Sequence, residues 1–135
     1  MEGVTFKVSL RIIGDGLVPS EVTAMLGCAP TDSRRKGDAV ETEHFIAKSP
    51  TGVWCLKAEG NETIDQAINA LLDHVSDDVA VWAELARRYR AEFFIGVFSD
   101  TSQVGLRITA ETLKRLSRFG LSVGLDIYCT ADATA

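Results

Sequence analysis

Apolar and polar residues alternate strictly from Val4 to Ile13. Val4, Phe6, Val8, Leu10 and Ile12 point one way and Thr5, Lys7, Ser9 and Arg11 the other, which predicts a half-buried strand. Gly14-Asp15-Gly16 breaks the pattern, and Pro19 suits the first turn of a helix, where its missing N–H has no intrahelical partner. Val18, Val22, Met25 and Leu26 form the apolar stripe of that helix, and Gly27 stops it. From Cys28 to Gly37 the periodicity is lost and an exposed loop is expected. A weakly patterned strand at about Glu41 to Ala47 and a clearer one at Val53 to Glu59 predict a hairpin across Lys48 to Gly52. In the second strand Trp54, Leu56 and Ala58 face opposite to Cys55 and Lys57.

Thr63 and Gln66 have capping-box spacing, and Ile64, Ala67, Ile68, Leu71, Leu72 and Val75 then repeat at helical period. Asp77 and Asp78 open a further helix with Val79, Trp82, Leu85, Ala86 and Tyr89 as its inner stripe, and Arg87, Arg88 and Arg90 complement the negative end of its dipole. Ala91 to Ser99 is apolar on both faces, as in a strand central to its sheet. Val104 to Ile108 is expected to pair with it. Thr109 then caps a last helix, stapled by Ile108 and Leu113 and ended by Gly120. The final strand, Leu121 to Cys129, turns Leu121, Val123, Leu125 and Ile127 inward and Ser122, Gly124, Asp126 and Tyr128 outward. The tail from Thr130 to Ala135 is expected to be loose.

This order predicts an α+β fold in one domain over residues 1–129. It is a two-layer sandwich of a mainly antiparallel sheet with helices on one face. A strand, turn and capped helix near both ends fit a duplicated ferredoxin-like arrangement.

Composition narrows the function classes. The chain has 135 residues, 46% hydrophobic and 24% charged, with a net charge of -5. An acidic balance disfavours a general nucleic-acid binder. Glu2 stands where a signal peptide needs base, and no apolar run approaches the roughly 18 residues of a membrane span, so a cytoplasmic protein off the membrane is expected. Three cysteines without a C-x-x-C pair fit reduced thiols.

Several features carry a likeness: the first strand running into Gly14-Asp15-Gly16-Leu17, the helix from Pro19 to Gly27, Pro30-Thr31, Lys36-Gly37-Asp38, Trp54 with Leu56, and Leu125-Asp126-Ile127-Tyr128. Together they resemble a bacterial family described as domain of unknown function 4279, over nearly the whole chain and in the same order. The resemblance implies compact bacterial cytosolic proteins of α+β fold. It brings no established activity and no catalytic residues.

The sharpest local chemistry is the loop from Pro30 to Asp38. Arg34, Arg35 and Lys36 beside Gly37-Asp38 could hold an anionic ligand through charge and backbone N–H groups, although the spacing is not that of a phosphate loop, and a solvated turn is the plain alternative. The second candidate is the sheet face away from the helices, expected to show Lys7, Ser9, Arg11, Cys55, Lys57, Phe94, Phe98, Asp126 and Tyr128. Arg11 and Asp126 could form an ion pair across neighbouring strands. A central, partly buried Asp126 would need a partner. Trp54 and Trp82 read as core aromatics.

No nucleophile elbow, dinucleotide turn or histidine metal motif is present, so no catalytic residue, metal or cofactor is assigned. The expectation is a non-enzymatic binding or regulatory domain acting through a protein partner or self-association as a homodimer. The alternative is a small-ligand binder or enzyme whose anionic substrate is held by Arg34, Arg35 and Lys36, with Asp38, Arg11, Asp126 and Tyr128 as further candidates.

Overall fold

A computed structural model describes residues 3–130. β1 (Val4–Gly14) runs into α1 (Pro19–Leu26), followed by β2 (Asp32–Arg34), β3 (Ala39–Glu41), β4 (Ile46–Lys48) and β5 (Gly52–Lys57). Next come α2 (Ile64–His74), α3 (Val79–Arg88), β6 (Arg90–Ser99), α4 (Ala110–Arg118) and β7 (Ser122–Cys129). The main sheet has the order β2-β5-β1-β6-β7 and is antiparallel except for the β6–β7 pair; β3 and β4 form a separate two-stranded sheet. This is the expected mixed fold of helices on a mainly antiparallel sheet. The split βαββαβ order of ferredoxin-like folds is completed once, by β1, α1, β2, β5, the α2–α3 pair and β6. The terminal likeness in sequence corresponds to α4 and β7, appended as one further αβ pair.

β1 is the axis of the core. Its alternating residues Val8, Leu10 and Ile12 are buried between β5 and β6 and meet Trp54, Leu56, Phe93, Ile95 and Val97 from the neighbouring strands. The helices lay Val22, Leu26, Ile68, Leu72, Trp82 and Leu85 on this surface. Both tryptophans are buried and keep their polar atoms paired. Trp54 Nε1 donates to Thr23 Oγ1 at 3.0 Å and Trp82 Nε1 to Ser76 O at 2.7 Å, as burial of an indole N–H requires.

The caps follow the sequence closely. Thr63, Asp78 and Thr109 each accept a backbone N–H at the start of α2, α3 and α4. Gln66 Oε1 accepts from the N–H of Glu62, one residue before the cap, so the capping box of α2 closes a position early.

Five expectations need correction. Residues 32–34, expected in a loop, form β2, because β5 offers them an open edge. The segment around Glu41 to Ala47 does not pair with β5. It folds on itself as β3 and β4, held at the turn by Thr42 and Phe45, while β5 takes β1 and β2 as neighbours. Val104 to Ile108 forms no strand, since β6 is already paired on both sides by β1 and β7. In α3 the buried stripe is Trp82 and Leu85, with Val79 and Ala86 exposed. Finally, Leu125 and Ile127 are 51% and 48% exposed, not inward-packed. The cause lies in α4, which packs chiefly on α2. Thr112 Oγ1 accepts from Asn69 Nδ2 at 3.0 Å, and Arg115 bridges Asn69 and Asp73 at 2.9 and 2.7 Å. Among the described residues no helix lies above the second half of β7. The loose tail expected from Thr130 onward lies, beyond Thr130 itself, outside the described residues.

The Gly14-Asp15-Gly16 break has a packing reason. Gly14 and Gly52 face each other at the end of β1 and β5, and the turn after β1 lies directly on Gly52, where an added Cβ would stand 2.7 Å from Gly14 O and 2.9 Å from Leu17 Cβ. Gly16 has open space around it. Gly52→Ala should therefore lower unfolding free energy by about 1–3 kcal/mol, the ordinary range for overpacking, whereas Gly16→Ala should stay within about 0.5 kcal/mol. Urea denaturation of the two variants checks this, and equal midpoints would refute the contact.

Candidate functional site

The structure spreads the residues proposed from sequence across the whole sheet, with Arg11 on the central β1. Arg34 lies in β2 at one edge and Asp126 and Tyr128 in β7 at the other, four strand spacings apart, about 19 Å.

At the β2 edge the basic loop is tied into its own surroundings. Arg34 Nε donates to the buried Ser49 Oγ at 2.9 Å and Nη1 stands 3.5 Å from Asp32. Lys36 Nζ reaches Asp15 at 3.2 Å, pinning the loop to the turn after β1. Hydrogen bonds from Lys36 and Thr51 hold the Asp15 carboxyl below its usual range, the Thr51 bond contributing most. Asp38 closes a turn, its carboxylate accepting the Arg35 N–H at 2.8 Å and its own N–H donating to Arg35 O. Gly37, at φ 90°, permits that turn. Arg34 thus fastens the loop to the end of the β3–β4 hairpin and Lys36 fastens it to the turn after β1, whereas the Arg35 side chain forms no ion pair among the described residues.

The sheet face away from the helices is where functional groups converge. β1, β5, β6 and β7 bring Lys7, Ser9, Arg11, Lys57, Phe94, Phe98 and Tyr128 around a hollow of about 460 Å³ with Gly96 in its floor. The strand register dictates this, since Lys7 stands opposite Gly96, Ser9 opposite both Lys57 and Phe94, and Phe98 between Thr5 and Tyr128. Gly96 leaves room for rings, because a Cβ there would approach Phe98 at 3.4 Å and Phe94 at 3.9 Å.

The aromatic groups are ordered by stacking. Phe98 and Tyr128 lie nearly parallel at 5.2 Å with an interplanar angle of 9°, and the Arg11 guanidinium sits 4.1 Å from the centroid of Phe94. Arg11 Nε also donates to Ser9 Oγ at 3.2 Å, and Lys7 Nζ is 5.7 Å from the Phe98 ring. Cation–π contact and the hydrogen bond fix the Arg11 head while leaving its other N–H donors free.

Asp126 differs from expectation in two respects. It lies on an edge strand and is exposed, and β6 separates it from β1, so it is no cross-strand partner of Arg11. Arg11 instead stands opposite Glu92, whose carboxylate is 3.8 Å from Arg90. The partner of Asp126 is Tyr128, whose hydroxyl donates to Asp126 Oδ2 at 2.9 Å. The contribution of Gly96 was missed in sequence reading, although a glycine between two outward phenylalanines is a readable signal of a gap in a strand face.

Other groups with potential chemistry are scattered. Cys28 and His74 border a second hollow of about 490 Å³ near α1, α2 and β5. Cys28 follows the C-terminus of α1, and its Sγ donates to Ala29 O at 3.4 Å. Cys55 is buried, and among the described residues no three His, Cys, Asp or Glu side chains are placed to hold a metal ion. No helix among them is long and apolar enough to cross a membrane.

The Tyr128–Asp126 bond raises the Tyr128 pKa above its usual value, first through the hydrogen bond and then through the negative charge of the carboxylate. A raised folded pKa contributes stability below the unfolded value of about 10, and this contribution is lost as pH rises through the folded value. Asp126→Asn should move the alkaline titration of Tyr128 downward toward that ordinary value. The ring carbon resonance of Tyr128 followed against pH reports it, and an unmoved midpoint would show that the bond is not held in solution.

No curated protein and no solved structure matches this chain. A family model does, over residues 4–130, a span that includes the β1 turn, the buried Trp54 strand and β7. By that match the chain belongs to the family described as Domain of unknown function (DUF4279).

Proposed function

We propose that this protein is a non-catalytic binding domain that recruits a polypeptide partner at the β7 edge of its sheet, a second copy of the chain being one such partner. One observation carries the reading. β7 is an eight-residue edge strand, and Leu125, Ile127 and Tyr128 on it are each about half exposed. Natural edge strands are commonly blunted by lysine, proline, a bulge or a covering element. Ser122–Cys129 contains no lysine or proline, and its single charge, Asp126, is hydrogen-bonded to Tyr128. Such an edge offers backbone N–H and C=O groups for strand addition, with alternate side chains supplying selectivity.

The strand is also compatible with itself. In an antiparallel pair centred on Leu125, Leu125 would meet its equivalent and Val123 would meet Ile127, so that every directly opposed pair on the helix side is apolar.

Light scattering during size exclusion, with cross-linking pull-downs from the source cell, should show either a dimer or a captured protein. Leu125→Lys with Ile127→Lys should weaken that association at least about tenfold, or ~1.4 kcal/mol. Because both side chains are already half exposed, the double variant should change unfolding free energy by no more than about 1 kcal/mol. A wild-type protein that is monomeric and captures nothing defeats the reading.

A further inference from the structure

Independently of strand addition at β7, the hollow on the open sheet face has the chemistry of a ligand site. Three cations, Lys7, Arg11 and Lys57, line it. None of the three forms an ion pair among the described residues, whereas Arg34, Lys36, Arg87, Arg88, Arg90 and Arg115 each do. Glu59 is the one carboxylate in the lining. Among the described residues Arg35, Lys48, Arg107, Lys114 and Arg118 also lack an ion pair, but they are dispersed, whereas Lys7, Arg11 and Lys57 share one hollow in a chain whose net charge is -5.

The walls of the same hollow are flat and aromatic. Phe98 and Tyr128 form one stacked platform, and the Arg11 guanidinium over Phe94 forms a second planar surface. An inorganic anion would use the cations and leave the rings idle, and a neutral aromatic would do the reverse. A volume of about 460 Å³ admits a small organic molecule. Long polyanions are disfavoured, because beyond the hollow they would meet the field of an acidic protein.

We propose that this hollow binds a small organic anion carrying a flat aromatic ring, of nucleoside monophosphate size. The ring stacks at Phe98 and Tyr128. The anionic group takes charge-assisted hydrogen bonds from Lys7, Lys57 and the free donors of Arg11. Ser9 fixes Arg11 in position from below.

Titration of the full-length protein with adenosine 5′-monophosphate and with 1-naphthoate, followed by amide and arginine side-chain NMR, tests this and distinguishes a phosphate from a carboxylate as the anionic group. At least one should saturate below about 10 mM, with shifts centred on Lys7, Arg11, Gly96, Phe98 and Tyr128. Adenosine alone and inorganic phosphate alone should each bind at least about tenfold more weakly than the nucleotide if the phosphate is the group selected. Lys7→Met, Lys57→Met and Arg11→Met should each weaken the bound probe about tenfold, with unfolding midpoints close to wild type for the exposed Lys7 and Lys57. Saturation by neither probe, shifts centred elsewhere, or affinity indifferent to all three substitutions overturns the proposal. Tighter binding of a single-stranded oligonucleotide than of either small probe would overturn it as well, in favour of a nucleic-acid surface.

Discussion

The pairing of β1 on both of its edges is the constraint from which the rest of this structure follows. β5 and β6 fix its register from the two sides, and a slip of a single residue would turn Val8, Leu10 and Ile12 out of the core and Lys7, Ser9 and Arg11 into it. The core and the open face are therefore two consequences of one registration. What buries Leu10 and Ile12 completely is also what gathers Lys7 opposite Gly96 and Arg11 beside Phe94. A candidate site built in this way stands on paired strands of the sheet, with Lys57, Phe98 and Tyr128 close to strand ends.

Helices on one face only leave the second face to solvent, and the placement of α4 extends that asymmetry to the edge. The Asn69, Thr112, Arg115 and Asp73 contacts hold α4 on α2, and Asp65 binds the N–H of Thr109 at 3.1 Å at its start. These polar contacts orient α4 over the start of β7, where Leu116, Phe119 and Leu121 join Trp82 in the core. The apolar residues further along the strand receive no cover among the described residues. Exposure of Leu125 and Ile127 is thus not a defect of patterning but the outcome of an interhelical network that fixes α4 elsewhere.

Much of this was legible in the sequence, for a reason that can be stated residue by residue. β1, α2 and the helix caps are local features: alternation from Val4, helical period from Ile64, and Thr63, Asp78 and Thr109 at cap positions each act within a few residues. The outward set on the open face was readable too, because alternation that turns one set into the core turns the other away from it, although Ser9 and Cys55 of that set are buried. What escaped depends on distant partners. Residues 32–34 become a strand only because β5 has a vacant edge, and Val104 to Ile108 fails to become one because β6 has none. Alternation in Leu121 to Ile127 identifies an apolar side, yet it cannot say whether a helix lies over it. The same limit governed Asp126, for which a central position and an exposed edge look identical in a single strand's pattern.

Charge placement completes the argument. Net charge averages over a surface, whereas recognition depends on which charges retain free donors. In the loop that looked most basic along the chain, Arg34 is tied to Asp32 and Ser49 and Lys36 to Asp15, and what they do there is fasten the loop to the end of the β3–β4 hairpin and to the turn after β1. Lys7 and Arg11 of β1 and the sequence-distant Lys57 of β5 come together on strands whose other faces are apolar, and the carboxylate of Glu92, opposite Arg11, is turned toward Arg90. Screening weakens exposed pairs at the rim, but cations set against aromatic rings over a glycine floor interact across a less polar surface, where a ligand's anion would displace water from donors that no carboxylate already occupies. Linear clustering of charge is for that reason a poor guide to a site in a small acidic sheet protein. The informative quantity is the set of cations that the fold leaves without a carboxylate, and in this molecule three of them share one concave face.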